Sequence, residues 1–294
     1  MIRKNAIVII SLLLMISFSS ISKAATSPDT ACDRECLRGF ITQYLDAMIA
    51  HKPDSLPVAA NVRFTEDCKE MKLGEGIWKN ISRLTDYRRD ILDVRDGVAV
   101  SFLVVEENKL PVLFVMRLKI VDKKIAEIET TAVRNKDEGM LFNTENLKTV
   151  SKTMEYVPTK EERVARDEAI KMAVTYPAGL KVGSFVKVDS PMAPDAYRYE
   201  NGQLMAGPGC TFFKGCDNMK KQFIPTLAQI THRVVAVDEE MGVVVVRMNF
   251  GPGSTFEGSG VLDVWHSFKI YGGLIRAAEA YCEIVPTGTK SGWE

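Results

Sequence analysis

One hairpin pattern occurs twice in this chain and constrains its fold more than any other feature. Residues 119–129 and 269–279, which lie 150 positions apart, both contain Lys-Ile, four residues, Ile, three residues and Glu. Each copy follows an alternating apolar run and carries two turn residues, Asp-Lys at 122–123 and Gly-Gly at 272–273. This pattern predicts the tip of a β-hairpin. The repeat therefore predicts a chain that contains two copies of one fold.

The length and composition of the chain agree with two domains. A chain of 294 residues suits two domains of ordinary size. Its 46% apolar and 26% charged residues are typical of a globular protein and exclude a disordered or fibrous one. We predict a first domain over residues 30–134, a polar linker over 135–160, and a second domain with a C-terminal tail over 161–294.

The first 24 residues predict export. Residues 1–5 are short and basic, residues 6–21 are an apolar run, and Ser22-Lys23-Ala24 places small residues at the cleavage positions. This is the pattern of a secretory signal peptide, since a polar boundary with small residues ends the apolar run. An uncleaved anchor is the alternative. We expect a periplasmic or secreted protein.

The charge of the exported chain excludes some partners. Removal of residues 1–24 takes away Arg3, Lys4 and Lys23, which leaves 35 basic and 38 acidic residues. Because no run rich in Lys and Arg stands out, we expect no nucleic-acid partner and no membrane partner after signal cleavage. The oligomeric state is left open, with a homodimer among the alternatives.

The six cysteines suit an oxidising compartment. Three lie in each half, so either a bridge joins the halves or each half keeps one free thiol. We expect Cys210 to pair with Cys216, and Cys32 or Cys36 to pair with Cys68, although spacing alone does not fix connectivity. A zinc site is the alternative, but no paired Cys-x-x-Cys motif and no histidine cluster supports it.

The order of predicted elements is the same in both halves. Each begins with an amphipathic helix (residues 37–49, capped by Asp33, and 161–176), followed by a short strand. A further helical piece, at 219–230 in the second half, precedes a run of antiparallel strands. We therefore predict an α+β fold of two tandem cone-shaped units, each a curved antiparallel sheet with covering helices. The concave apolar side is the expected ligand site.

The layout resembles the nuclear-transport-factor-2-like superfamily, which includes SnoaL-like polyketide cyclases, scytalone dehydratase and ketosteroid isomerase. The resemblance rests on the helix around Tyr-Leu-Asp-Ala at 44–47, on Val-Arg-Phe at 62–64 and on the two hairpins. The segments 32–37 and 285–293 look like those of an exported tandem family. The superfamily contains enzymes and non-enzymes, and neither the Tyr-plus-Asp site of the isomerases nor the His-Asp dyad of the dehydratases falls on matched positions.

His266 is the most informative polar residue. Alternation along residues 261–271 places it on the face expected to be covered, where the first copy has Met116 at a shift of 150. A histidine in a cavity can act as a general acid or base near neutral pH. The alternatives are a buried structural histidine or a face assignment that is wrong by one residue.

Other polar residues appear in the second copy where the first is apolar or aromatic. His232 matches Tyr87 at a shift of 145, and Arg247 matches Phe102. Glu200 matches Glu66 at a shift of 134, and a carboxylate beside an apolar cavity can have a raised pKa and accept a proton. Solvent exposure of Arg247 and a plain turn at Glu200 are the alternatives.

Several aromatic residues are candidates for contact with a ligand, although packing is the alternative role for each of them. Tyr197 and Tyr199 share one face of a strand and can donate hydrogen bonds to a ligand oxygen. Trp78 and Tyr87 can line or close a cavity.

These features predict an exported protein that binds a small apolar organic molecule. A lyase, dehydratase or isomerase that uses proton transfer in the second cavity is one hypothesis. It assigns acid–base roles to His266, Glu200 and His232, and ligand contacts to Tyr199, Arg247, Tyr197, Trp78 and Tyr87. The alternative is a non-catalytic ligand-binding or protein-interaction module. No metal and no organic cofactor is expected, because no Ser-His-Asp, His-Glu-x-x-His, Walker or Rossmann arrangement occurs.

Overall fold

A computed structural model describes residues 32–255 and 260–293, so the predicted signal peptide lies outside the described residues. The described strands are β1 Val58–Glu66, β2 Lys69–Glu70, β3 Ile81–Asp93, β4 Val98–Glu107, β5 Leu110–Val121, β6 Lys124–Val133, β7 Met192–Glu200, β8 Gln203–Ala206, β9 Thr231–Asp238, β10 Val243–Asn249, β11 Val261–Tyr271 and β12 Leu274–Val285. The α-helices are α1 Arg34–Ile49, α2 Lys136–Gly139, α3 Lys152–Glu155 and α4 Arg166–Val182. Short 3₁₀ helices occur at Pro53–Ser55, Gly76–Lys79 and Thr144–Asn146. None of these helices has the length and apolar content that crossing a membrane requires.

The two halves have the same topology. The strand order is β2-β1-β6-β5-β4-β3 in the first sheet and β8-β7-β12-β11-β10-β9 in the second. The predicted α+β fold of two similar units is confirmed. Each sheet is mixed rather than purely antiparallel, because β1 runs parallel to β6 and β7 runs parallel to β12. The first strand of each half thus lies beside the last one, which no local sequence pattern reveals.

The repeated hairpins form at the predicted positions. Val121 pairs with Lys124 and Tyr271 pairs with Leu274, which leaves two residues in each turn. Asp122 and Lys123 have φ angles of 49° and 57°, and Gly272 and Gly273 have angles of 59° and 70°. A two-residue turn with two positive φ angles matches the right-handed twist of the strands.

The two long helices cover the concave faces of the sheets. The side chain of Asp33 accepts a hydrogen bond from the Cys36 amide at 2.9 Å and so caps α1. Helix α4 extends six residues beyond the predicted end at 176, through Pro177, and ends at Gly183 in the left-handed conformation. The missing amide of Pro177 is tolerated because the following turn buries Leu180 in the core of the second unit.

The helix predicted over 219–230 is wrong. This segment consists of turns and irregular backbone. The Leu227 amide donates instead to the Leu180 carbonyl at the end of α4, at 2.8 Å, and Pro225 lacks an amide donor. A tertiary hydrogen bond and a proline therefore prevail over the helical spacing of the apolar residues.

The cysteine pairs differ in part from those predicted. The Cys210–Cys216 disulfide is confirmed. The predicted pairing of Cys32 or Cys36 with Cys68 is wrong, because Cys32 pairs with Cys36, one turn away at the start of α1. Cys68 and Cys282 are free, one in each half. Two disulfides are consistent with an oxidising compartment.

Residues 135–160, which connect the two halves in sequence, are hydrogen-bonded to the second sheet. Asn201, which is buried at the turn after β7, donates through Nδ2 to the carbonyl oxygens of Gly139 and Leu141, at 3.0 and 2.9 Å. Lys269 donates to the carbonyl oxygens of Met154 and Tyr156. Burial lowers the pKa of Lys269 to about 8. Residues 135–160 therefore pack against the second sheet as an ordered connection.

Three apolar clusters explain the architecture. One lies between α1 and the first sheet and another between α4 and the second sheet. The third lies between the two sheets, where Phe102 and Val115 from the first half meet Val245 and Trp265 from the second. The central strands are buried on both faces, which is why β4, β5 and β10 are mostly apolar. Strand β11 is equally buried but includes Asp263, His266, Ser267 and Lys269.

Two equivalent ion pairs join the halves. Arg34 at the start of α1 donates two hydrogen bonds to Asp238, at 2.7 and 2.9 Å, and Arg166 at the start of α4 donates two to Asp93, at 2.7 and 3.0 Å. Each carboxylate also accepts a hydrogen bond from the opposite half: Asp238 from the Leu92 amide and Asp93 from the Val237 amide. The halves are thus cross-linked by a pseudo-twofold pair of interactions.

Loss of either carboxylate should destabilise the protein by a similar amount. We expect Asp93→Ala and Asp238→Ala each to lower the free energy of unfolding by about 2–4 kcal/mol, because each removes the buried acceptor of two charge-assisted hydrogen bonds and leaves a buried backbone amide of the other half unpaired. Urea denaturation followed by circular dichroism measures the effect. The exposed pair between Arg63 and Glu70 provides the control, Glu70→Ala, which should cost at most about 1 kcal/mol. A large effect of only one of the two variants contradicts the equivalence.

Candidate functional site

The concave side of the second unit contains a cavity of about 330 Å³ beneath α4. It lies between α4, the first strands of the second half and the segment that follows the Cys210–Cys216 disulfide. The apolar side chains that line it are Met140, Leu180, Met205, Phe212, Phe213, Phe223, Ile224, Pro225, Leu227, Phe250 and Leu262. We call this space the cone cavity.

A buried polar group lies at one side of the cone cavity. The Arg198 side chain from β7 is 6% exposed and donates through Nη1 to the Tyr176 hydroxyl at 2.9 Å. Its Nη2 donates to Gln222 Oε1 at 3.4 Å, and its Nε lies 3.3 Å from Glu200 Oε1. Burial opposes the arginine's charge, but Tyr176 and Glu200 raise the pKa of Arg198 above its ordinary value. The cavity therefore combines an apolar wall with one fixed cation.

The first unit fills the corresponding space with its own side chains. Trp78 is 1% exposed and donates through Nε1 to the Tyr44 hydroxyl at 2.9 Å. At the shift of 145 that relates β3 to β9, Trp78 matches Phe223, which is 81% exposed at the cone cavity. The predicted ligand-contact role of Trp78 therefore conflicts with its position as part of a packed core.

Glu66 and Glu200, which match at a shift of 134, lie in different surroundings. Glu66 accepts a hydrogen bond from the Ile77 amide at 2.9 Å, and burial raises its pKa to about 8. Glu200 faces the Arg198 guanidinium instead. Of the two, Glu200 lies at a cavity, as predicted, but its partner there is an arginine rather than a histidine.

His266 is buried on the predicted face but does not line the cone cavity. Its ring is 0% exposed and packs against Phe268 and Tyr176, with centroid separations of 4.8 and 4.7 Å. Neither ring nitrogen has a hydrogen-bond partner among the described residues. Burial, assisted by the charge of Arg198, holds the pKa of His266 well below its usual value. The imidazole is therefore neutral and lacks the predicted carboxylate partner.

Arg247 and His232 lie outside the cone cavity. Arg247 is on the face of β10 toward the first sheet, where it donates to Glu129 at 2.6 Å and to Asp263 at 2.7 Å. His232 is exposed near the beginning of β9, and burial of part of its ring lowers its pKa. Both border a separate, polar cavity of about 390 Å³. The expectation that these residues enrich the second cavity in polar groups is wrong, because adjacent strand positions alternate between faces.

The cluster around Arg247 has the composition of a metal site. Cys68, Asp263 and Glu283 offer ligand atoms within 4.8 Å of one another. The Arg247 guanidinium donates to all three, at 3.0 Å to Cys68 Sγ, 2.7 Å to Asp263 and 3.3 Å to Glu283. An arginine thus supplies the positive charge that a metal ion would supply.

The three tyrosines predicted to contact a ligand lie apart from the cone cavity and from the cavity bordered by Arg247. Tyr197 and Tyr199 pack edge to face, with ring centroids 5.6 Å apart, on the face of β7 that is turned away from the cone cavity. Tyr197 donates to Glu279 at 3.1 Å. Tyr199 and Tyr87 border a cavity of about 290 Å³ between the sheets. The eight predicted site residues are therefore divided among five regions rather than gathered in one.

Arg198 and Tyr176 border the cone cavity but were not among the predicted site residues. A signal was available, because Arg198 matches Phe64 at the shift of 134 that relates Glu200 to Glu66, and this is a change from an apolar to a charged residue. Tyr176 matches Tyr44 at the shift of 132 that relates α4 to α1. The Tyr44 hydroxyl accepts a hydrogen bond from Trp78, whereas the Tyr176 hydroxyl accepts one from Arg198. This difference is visible only in three dimensions.

Known proteins resemble this chain only in part. A family model described as a domain of unknown function (DUF8021) matches residues 162–282. A search of curated proteins found no match. An NTF2-like protein of unknown function from Cytophaga hutchinsonii ATCC 33406 aligns at 7% identity over 34% of this chain and 91% of that one, with a TM-score of 0.27.

Two fungal proteins of solved structure also align. PrhC from Penicillium brasilianum NBRC 6234 aligns at 10% identity over 40% of this chain and 81% of that one, with a TM-score of 0.25. AusH from Aspergillus nidulans aligns at 13% identity over 40% of this chain and 85% of that one, also with a TM-score of 0.25. TM-scores this low establish nothing about activity.

Replacement of His266 by methionine, the residue of the first unit, should stabilise the protein. Two buried ring nitrogens without partners cost free energy, so we expect His266→Met to raise the free energy of unfolding by about 1–3 kcal/mol at pH 7.5. Below the ordinary pKa of 6.5, the unfolded chain binds a proton at His266 that the folded one does not. The free energy of unfolding of the wild type should therefore fall as the pH falls below this value. The stabilisation by His266→Met should increase over the same range.

Urea denaturation at pH 7.5 and 5.5 checks this prediction. His51→Met is the matched control, because His51 Nδ1 has a hydrogen bond of 2.6 Å to the Trp78 carbonyl oxygen and its loss should give no gain. A decrease in stability for His266→Met would show that the imidazole has a partner in solution.

Proposed function

We propose that this protein binds a small, mostly apolar organic molecule in the cone cavity of its second unit. The observation that carries the proposal is the contrast between the two units: Trp78 fills the first, whereas the second leaves about 330 Å³ beside a buried arginine. An apolar wall with a few fixed polar groups is the usual construction of a ligand site.

The polar group beside the cavity limits the class of ligand. Arg198 is held by Tyr176, Gln222 and Glu200, so its guanidinium has a fixed position before a ligand arrives. A fixed donor group of this kind binds an oxygen acceptor or an anionic group with little loss of conformational freedom. The proposed ligand therefore has an apolar body and one oxygen-containing polar end.

Binding without turnover is favoured over proton transfer. The acid–base hypothesis requires His266 to reach a substrate, but Tyr176 and Phe268 pack against its ring, and it does not line the cavity. Glu200 lies 3.3 Å from the Arg198 guanidinium, so its carboxylate is already engaged in an ion pair. The non-catalytic alternative thus has the better support.

The proposal also includes the fold family of each half and the export of the chain. Each half is treated as a nuclear-transport-factor-2-like unit, at residues 30–134 and 161–294 with 135–160 between them. The identical strand orders and the sequence resemblance support this assignment. Export follows from the predicted signal peptide and is supported by the two disulfides.

Native mass spectrometry of protein purified from its own periplasm or medium tests the proposal directly, by looking for a retained small molecule. A defined probe, 1-anilinonaphthalene-8-sulfonate, allows a titration, since it combines an apolar body with an anionic group. Its fluorescence should increase on binding, with one site per chain. An absence of both a retained molecule and probe binding would remove the proposal.

Substitutions at Arg198 and Glu200 should change probe affinity in opposite directions. We expect Arg198→Met to weaken binding about tenfold or more, because it removes a charge-assisted contact. Glu200→Gln should strengthen binding, because it removes the negative charge beside the arginine. Arg198→Lys, which keeps the charge, should have an intermediate effect.

Glu66→Gln is the matched control, because it makes the same change at the equivalent position of the first unit. The titrations are made at pH 9, above the pKa of about 8 of Glu66, so that this variant also removes a negative charge. Fluorescence titrations at constant ionic strength measure all four affinities. Probe affinity that responds to Glu66→Gln as strongly as to Glu200→Gln contradicts the assignment to the second unit.

A further inference from the structure

The surface at the cone cavity carries a group of exposed apolar side chains. Phe223 is 81% exposed and Phe212 is 43% exposed, and both border the cavity. Among the described residues they are the only exposed phenylalanines. Val182, the last residue of α4, and Val186 in the following loop are also exposed. We call these four residues the apolar rim.

The two chain segments that supply the apolar rim lie side by side. The Leu227 amide donates to the Leu180 carbonyl oxygen at 2.8 Å, which joins the segment after Phe223 to the end of α4. Lys220 Nζ donates to Asp189 Oδ1 at 2.9 Å, which joins the same segment to the loop after α4. The two segments therefore form one surface.

The second half contains an insertion at this surface that the first half lacks. The shift between equivalent residues rises from 134 at β7 to 145 at β9, so the second half has eleven additional residues between these strands. This region includes the loop closed by the Cys210–Cys216 disulfide, in which the rings of Phe212 and Phe213 lie 6.3 Å apart. The disulfide restricts the conformations of the loop. Exposure of aromatic rings is thus a feature of the second unit, since Trp78 of the first is buried.

Positive charge surrounds the apolar rim. Residues 181–189 and 211–223 contain five lysines and two aspartates, although the exported chain as a whole has 35 basic and 38 acidic residues. Four of these lysines are exposed and form no ion pair within the described part of the chain: Lys181, Lys187, Lys214 and Lys221. They come from two separate segments, so no basic run in the sequence reveals them.

This composition suits an anionic membrane surface better than a protein partner. Membrane-interface anchors combine aromatic rings, which enter the headgroup region, with lysines, which are attracted to anionic lipids. Protein–protein interfaces are instead depleted in lysine. Because the exported chain is negative overall, its remaining surface gains less from approach to an anionic membrane. The charge distribution therefore turns the apolar rim toward the lipid.

We propose that the second unit docks on anionic lipid membranes through the apolar rim. The rings of Phe212 and Phe223 enter the headgroup region, and Lys214 and Lys221 contact lipid phosphates. The cone cavity then faces the bilayer, so an apolar ligand passes between bilayer and cavity without crossing water. This last step rests on the proposed function, whereas docking itself does not. Sequence analysis predicted no membrane partner because it looked for a continuous basic run.

Flotation of the ligand-free protein with lipid vesicles tests the docking. We expect the wild type to bind vesicles of phosphatidylcholine with phosphatidylglycerol, and to bind phosphatidylcholine alone more weakly. Phe223→Ser should weaken binding about tenfold, because it removes the most exposed apolar side chain. Lys214→Gln combined with Lys221→Gln should weaken binding about tenfold at low salt and less at high salt, because salt screens the attraction.

Leu110→Ser is the matched control. Leu110 is 68% exposed in the first half and adjoins the exposed Lys109, so the variant removes an apolar side chain beside a lysine away from the apolar rim. It should leave vesicle binding unchanged.

Phe223→Trp reports the location of docking, because it keeps an aromatic anchor. Its fluorescence emission should shift to shorter wavelength when vesicles are added. Trp78 and Trp265 are buried in the free protein and give a constant background.

Three results would overturn the proposal. They are absence of wild-type binding to the anionic vesicles, equal weakening by Phe223→Ser and Leu110→Ser, and an unchanged emission of Phe223→Trp on bound vesicles. Sedimentation velocity identifies the other occupant: a wild-type dimer that binds no vesicles and that Phe223→Ser dissociates would assign the apolar rim to a second copy of the chain. Arg198→Met, which tests the cone cavity, should leave vesicle binding unchanged, so the two proposals fail separately.

Discussion

Burial of both faces of each sheet is the constraint on which the rest of the structure depends. The central strands carry apolar residues toward the covering helix and toward the other sheet, so neither half has a face suited to water. One unit alone would expose Phe102 and Val115, or Val245 and Trp265. The cross-linked ion pairs of Arg34 with Asp238 and Arg166 with Asp93 then fix the halves in one orientation.

The duplicated plan lets each half serve as a reference for the other. The hydrogen-bonded pair of Tyr44 and Trp78 completes the core of the first unit, whereas Phe223 lies at an open cavity in the second. Between the sheets the two halves differ in charge rather than in space. Arg247 and Arg233 pair with Glu129, and both border a cavity of about 390 Å³. The position equivalent to Arg247 is Phe102 in the first half, and Glu279 borders a cavity of about 290 Å³.

Much of the fold could be predicted from residues close together in sequence. The spacing of Leu37, Phe40 and Ile41 predicted α1, and the turns at 122–123 and 272–273 predicted both hairpins. The parallel pairing of β1 with β6 could not be predicted, since it joins strands about 65 residues apart. The helix expected over 219–230 failed for a related reason, because the carbonyl of Leu180 captures the amide of Leu227.

The candidate site was less predictable because function depends on which face a side chain occupies and what lies opposite. Alternation placed His266 on the covered face correctly, yet nothing nearby in sequence shows that Tyr176 and Phe268 pack against it. The sequence by itself determined that there are two copies, where their strands and turns lie, and which positions diverged. Only the tertiary structure decided that the divergent positions fall on two sides of a sheet, because contacts between distant elements set the partners of Arg198 and Arg247.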